Sequence, residues 1–95
     1  MSTYLYCFIA GDFESFKYEG EFRYPISVLC RKSLGKFMKD QCQRWFHFTK
    51  CCIEFYEDLF SCKYPWGKLD HAFLPDYAMG AMENVGLITY NDNFI

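Results

Sequence analysis

Proline is scarce in this chain: there are three, and none lies between Ile26 and Tyr64. A long helix can run through that stretch without the clash and the lost donor that proline imposes. Long apolar runs are also missing. None approaches the ~20 residues of a membrane span, so the chain is read as having no membrane segment. Basic blocks are absent as well. Ten Lys and Arg stand against twelve Asp and Glu, for a net charge of −2, which leaves no footprint for nucleic acid. Met1 to Ala10 is apolar, but no positive leader precedes it and Asp12 follows closely, so it reads as a strand and not as a signal peptide. No C-x-x-C, H-E-x-x-H or G-x-S-x-G occurs, so none of the usual local signs of a redox pair, a metal-binding helix or a nucleophile elbow is in view.

What is abundant is aromatic. Of 95 residues, 22% are aromatic and 52% hydrophobic, with eleven Phe and eight Tyr. A chain of this size forms one domain at most and buries only about two-thirds of its unfolded surface. So many rings must either form exposed apolar patches or be covered by something else. The six cysteines, at 7, 30, 42, 51, 52 and 62, show no framework spacing. They are expected to be mostly reduced, buried, small apolar residues in a reducing, cytoplasmic compartment.

Local pattern gives an α+β order. Thr3 to Ala10 is a strand candidate that ends at Gly11-Asp12. Phe13 to Tyr18, Phe22 to Tyr24 and Ile26 to Cys30 follow as short antiparallel strands. From about Phe37 to Phe60 there is neither Pro nor Gly, and Met38, Cys42, Trp45, Thr49, Cys52, Tyr56 and Leu59 step by four and three. That is the stripe of one long amphipathic helix. Gln41, Phe48 and Phe55 widen it on one side, Phe46 and Ile53 on the other, so the helix is expected to be buried on more than one side. Gly35 weakens its start; Ser61 and Tyr64-Pro65 end it. Leu69 to Leu74 and Val85 to Tyr90 read as further strands.

Few residues carry chemistry. His47 and Cys51 could share a helix face, but two ligands do not close a zinc site, and an ordinary helix surface is the simpler reading. His71 follows Asp70 in a predicted strand, so the two point to opposite faces. Glu57 and Asp58 diverge by about 100° around the helix and read as solvated charges. One dense signal remains, Pro75 to Tyr90. Gly80 and Ala81 allow close backbone approach, and Glu83 stands beside apolar Met82 just before a strand. From the residues alone this is an acid near a close-approach backbone, either a ligand site or a structural ion pair.

Gly80-Ala81-Met82-Glu83-Asn84 resembles the exopeptidase motif of the aminopeptidase N and puromycin-sensitive aminopeptidase family of gluzincin zinc metallopeptidases. Further stretches are similar to that family: Phe55 to Phe60, Lys63-Tyr64-Pro65-Trp66-Gly67-Lys68-Leu69-Asp70, and Ser2-Thr3-Tyr4-Leu5 with the apolar run to Gly11-Asp12-Phe13. The likeness covers nearly the whole chain, least from Phe16 to Gln43. It implies that residues 1–32 are the tail of an N-terminal β-domain and residues 33–95 the start of a thermolysin-like peptidase domain.

The resemblance also implies roles. Glu83 would bind the free α-ammonium of a peptide substrate's first residue. The backbone of Gly80, Ala81 and Met82 would run beside the substrate, and Met79 would lie near the first side-chain pocket. Asn84 would be structural. The zinc ligands and general base, H-E-x-x-H and a later Glu, would come after Ile95, and Met1 would be an internal methionine. On this reading the chain is a fragment of a zinc aminopeptidase, binds no metal itself, has no catalytic residue of its own and hydrolyses nothing alone, with the remainder of the enzyme as its partner. The alternative is a short non-catalytic interaction module that binds a partner protein through its aromatic surface.

Overall fold

The structure, a computed structural model, describes residues 6–78 and 80–94. Five strands and one long helix build an α+β unit: β1 (Phe13–Lys17), β2 (Ile26–Arg31), α1 (Gly35–Phe60), β3 (Leu69–Leu74), β4 (Ala81–Asn84) and β5 (Leu87–Asn91). A 3-10 turn, Lys32–Leu34, leads into α1, and another, Asp92–Phe94, follows β5. The strands form one mixed sheet in the order β1-β2-β3-β5-β4. β1 pairs antiparallel with β2, and β4 with β5, while the β2–β3 and β3–β5 pairs are parallel. The parallel β2–β3 pair follows from α1, which carries the chain back across the sheet between them.

The core lies between α1 and one face of the sheet. Ile26, Val28 and Cys30 alternate inward along β2 and meet Met38, Cys42 and Phe46 of α1 and Phe73 of β3. Trp45 extends this core sideways, with its ring 5.1 Å from Phe73, 5.4 Å from Tyr90 and 5.6 Å from His71. Fully burying each large apolar side chain contributes about 1.5–3 kcal/mol. Gly35 begins the helix close against β1. A Cβ there would sit 3.3 Å from Glu14 Cγ, so the first turn presses directly on β1. At the other end Ser61 takes the left-handed conformation at φ 50°. The Ser61 and Cys62 N–H groups then donate to the Asp58 and Glu57 carbonyls at 3.4 and 3.2 Å, which closes the last turn.

Several elements differ from expectation. Of the Thr3–Ala10 strand, residues 3–5 lie outside the described residues, and 6–10 pair with no strand among those described; Tyr6 and Phe8 are exposed. Phe22 to Tyr24 forms no strand, and the chain bends at Arg23 and Tyr24. Tyr24 turns its ring onto Tyr64 at 5.3 Å, and Pro25 offers no donor to a ladder. Val85 to Tyr90 is not one strand, because Val85-Gly86 forms the tight turn between β4 and β5.

The helix buries one side only. Its buried residues are Gly35, Met38, Cys42, Phe46, Thr49 and Ile53, whereas Phe48, Cys52, Phe55, Tyr56, Leu59 and Phe60 are exposed. The buried stripe is therefore rotated toward Phe46 and Ile53, because the sheet reaches only that flank. The cysteines follow the same geometry. All six are free, but only Cys30 and Cys42 are buried, so the expectation that most are core residues fails for Cys7, Cys51, Cys52 and Cys62.

Candidate functional site

The stretch from Pro75 to Tyr90 forms one edge of the sheet. Asp76, at φ 54°, turns the chain out of β3 in a conformation that Asp tolerates better than most residues. The chain then returns as β4, which pairs with β5 and stands last in the strand order among the described residues. Gly86, at φ 67°, closes the β4–β5 turn. Its carbonyl accepts from the Asp70 N–H at 2.9 Å and from Lys68 Nζ at 3.1 Å, which fastens the hairpin tip to β3.

Register decides which way each side chain points. Val28, His71, Ile88 and Glu83 form one cross-strand row, on the face that α1 covers. α1 covers β2 and β3 but stops short of β4, so Glu83 lies exposed on that face, and no hydrogen bond or ion pair reaches its carboxylate among the described residues. An apolar hollow of about 260 Å³ lies between α1 and β5, lined by Trp45, Phe48, Thr49, His71, Ile88 and Tyr90. Ile88 is also the residue opposite Glu83.

Met82 and Asn84 point to the reverse face, opposite Thr89 and Leu87. There a polar cluster forms around the buried Thr89. Tyr77 Oη lies 2.6 Å from Thr89 Oγ1, and Asn84 Nδ2 donates to the same oxygen at 3.2 Å. Asn91 completes the cluster, donating from Nδ2 to the Tyr77 carbonyl at 3.0 Å and from its backbone N–H to the Gly80 carbonyl at 2.8 Å.

Gly80, Ala81, Met82 and Glu83 are thus brought together on one edge strand and its entry; Met79 lies outside the described residues. His47 and Cys51 stay on an exposed helix face, Nε2 to Sγ at 3.7 Å. His71 is buried with Asp70 on the opposite face, as strand alternation requires. Thr49 Oγ1 gives its only proton to the Trp45 carbonyl at 2.7 Å, so His71 Nε2–H donates to Thr49 at 2.8 Å and Nδ1 accepts from the Tyr90 hydroxyl at 2.9 Å. Burial pushes His71 down to about 4, which keeps it neutral, and lifts Tyr90 to about 12.

Two functional-looking groups escaped the sequence reading. Glu57 is not a solvated charge. Its carboxylate accepts from the Tyr24 hydroxyl, from the Tyr64 N–H at 2.8 Å and from Arg23, and only 12% of the side chain is exposed. The Tyr24 bond, then the Tyr64 N–H, holds its carboxyl below the usual range. Thr89 was read only as part of a strand. Its partners Tyr77 and Asn84 are 12 and 5 residues away, and no local pattern marks such a meeting.

Residues 45–95 match the Peptidase family M1 domain. Aminopeptidase N of Haemonchus contortus is 38% identical over 93 residues, covering 98% of this chain and 9% of its own length. Endoplasmic reticulum aminopeptidase 1 of Homo sapiens is 40% identical over 93 residues, covering 98% and 10%. Glutamyl aminopeptidase of Rattus norvegicus is 36% identical over 92 residues, covering 97% and 9%. The chain belongs to the M1 family of metallopeptidases, and it spans about a tenth of the length of these relatives. M1 peptidases are generally zinc-dependent. Among the described residues no three His, Cys, Asp or Glu side chains converge in the way a zinc site requires. No helix among them is long and apolar enough to cross a membrane.

Proposed function

We propose that this chain supplies the amine-recognition edge of a zinc aminopeptidase that removes N-terminal residues from peptides. Glu83 holds the free α-ammonium of the substrate's first residue. The backbone of Gly80, Ala81 and Met82 runs beside the peptide, as an added strand lies along a sheet edge. The observation that carries this reading is the placement of Glu83: an exposed acid on β4, the last strand of the sheet order, with no cation of its own among the described residues. A fixed anion beside this strand selects chains that present an ammonium, which an internal peptide segment lacks. Met79 is assigned to the first side-chain pocket on the resemblance alone. The division into a β-domain tail (1–32) and a peptidase-domain start (33–95) belongs to the same reading. So does a cytoplasmic setting, which the six unpaired cysteines support.

No step is assigned to a metal on these residues. Because the sequence holds no H-E-x-x-H, the chain by itself is proposed to hydrolyse nothing, and zinc and its ligands are assigned to the remainder of the enzyme. The exposed rings of α1, Phe55, Tyr56 and Phe60 among them, favour a second reading, a non-catalytic module that docks a protein partner.

The test is Glu83→Gln in the natural protein that carries this chain. The readout is kcat/KM on aminoacyl p-nitroanilides with free and N-acetylated amines. The expected loss on free-amine substrates is about 1.5–3 kcal/mol, the range for a hydrogen bond to a charged group. An unchanged kcat/KM would refute the role of Glu83.

A further inference from the structure

We propose that Thr89 is a positioning residue for Glu83, tying both ends of the recognition strand to the sheet through one buried hydroxyl. The inference rests on the reading of Glu83 as the amine anchor. β4 is only four residues long, and its ladder to β5 comprises four residue pairs in all. Such a strand frays unless something else holds it. A carboxylate that must meet an ammonium needs its backbone fixed to within about half an ångström.

The reverse face of β4 provides the hold. Thr89 is 1% exposed and sits opposite Met82, the residue before Glu83. A buried hydroxyl needs partners, and Thr89 has two. Tyr77 Oη, at 2.6 Å, comes from the segment that enters β4, and Asn84 Nδ2, at 3.2 Å, comes from the residue directly after Glu83. Asn91 continues the hold to the carbonyls of Tyr77 and Gly80. The entry and the exit of the strand are therefore pinned to β5 at one point, on the face away from the ligand. Glu83 itself is left unencumbered on the other face, so the hydroxyl works through the backbone and touches no substrate.

The experiment uses the natural protein that carries this chain, with alaninamide and N-acetylalaninamide as probes and calorimetry as readout. The variants are Thr89→Val, Thr89→Ser, Tyr77→Phe and Glu83→Gln. Wild type is expected to prefer the free amine, and Glu83→Gln to abolish that preference. Thr89→Val keeps the shape and removes the hydroxyl, and should weaken free-amine binding about tenfold, because small misplacements of a positioned group are costly. Thr89→Ser should restore binding to within about threefold, since the hydroxyl remains. Tyr77→Phe, which deletes one partner at the rim, should weaken it a few-fold and keeps the test decisive if Thr89→Val does not fold. If wild type ignores acetylation, both the amine reading and this one fall. If Glu83→Gln abolishes the preference while Thr89→Val and Tyr77→Phe bind as wild type, or Thr89→Ser binds as weakly as Thr89→Val, the amine reading stands and the positioning role is overturned.

Discussion

Glu57 and Glu83 each follow a large side chain, Tyr56 and Met82, yet the fold treats them in opposite ways. Glu57 lies in the half of the molecule that α1 organises, where its carboxylate joins the bend at Arg23 and Tyr24 to the backbone of Tyr64. His71, in the same half, has both ring nitrogens bonded. Glu83 lies beyond the reach of the helix, on β4, with no such partners among the described residues. The first region spends its polar groups on holding itself together. The second keeps one charge available, and the polar groups that steady it are placed behind it, around Thr89.

The contrast breaks hardest if the covered half is hollowed out. Phe46 is 1% exposed and contacts the Tyr18 ring at 5.5 Å. Phe46→Ala should cost about 3–5 kcal/mol in urea unfolding, as core Phe truncations do. A cost near zero would mean that α1 does not organise this half.

The next effect is one of pH. His71 has its folded pKa lowered from 6.5 to about 4. The unfolded chain therefore binds more protons between those values, and stability falls as pH drops from 6.5 toward 4, by on the order of 3 kcal/mol, then levels off. His71→Gln should flatten that segment of the pH profile. A wild-type profile already flat there would show that His71 is not held neutral.

Glu57 acts in a lower window. Its folded pKa lies below the ordinary 4.5, so its contribution is complete above that value and is lost as pH falls through the folded one. Glu57→Gln should lower the urea midpoint at pH 7 and converge with wild type in stronger acid. A gap that persists in strong acid would trace the loss to packing, not to charge. The smallest effect sharpens the contrast most. Glu83→Gln should leave stability within about 0.5 kcal/mol, as an exposed site away from other features does, while it lowers free-amine turnover. A clear loss of stability would return Glu83 to the structural ion pairs.

Much of the frame was legible locally. The absence of Pro and Gly after Phe37, with apolar residues at steps of three and four, marks α1 almost to its ends, and β1, β2 and β3 stand where alternation puts them. The strand readings over residues 6–10 and Phe22–Tyr24 were misjudged because a strand exists only where a partner offers a ladder, and composition does not report partners. The segment Gly80 to Asn84 was legible as a motif. That residues 81–84 form a strand of their own, and the bonds that pin it, were not visible at all.

The sequence by itself determined the helix, its capped end at Ser61, the α+β order and the family, because these rest on periodicity, backbone preference and local identity. Tertiary structure decided which flank of α1 is buried, that Glu57 is consumed by the fold while Glu83 is left open, and that Thr89 joins Tyr77 to Asn84. Those outcomes depend on contacts between residues far apart in the chain. A hydrogen bond across 33 residues, like that from Tyr24 to Glu57, leaves no trace in either segment alone.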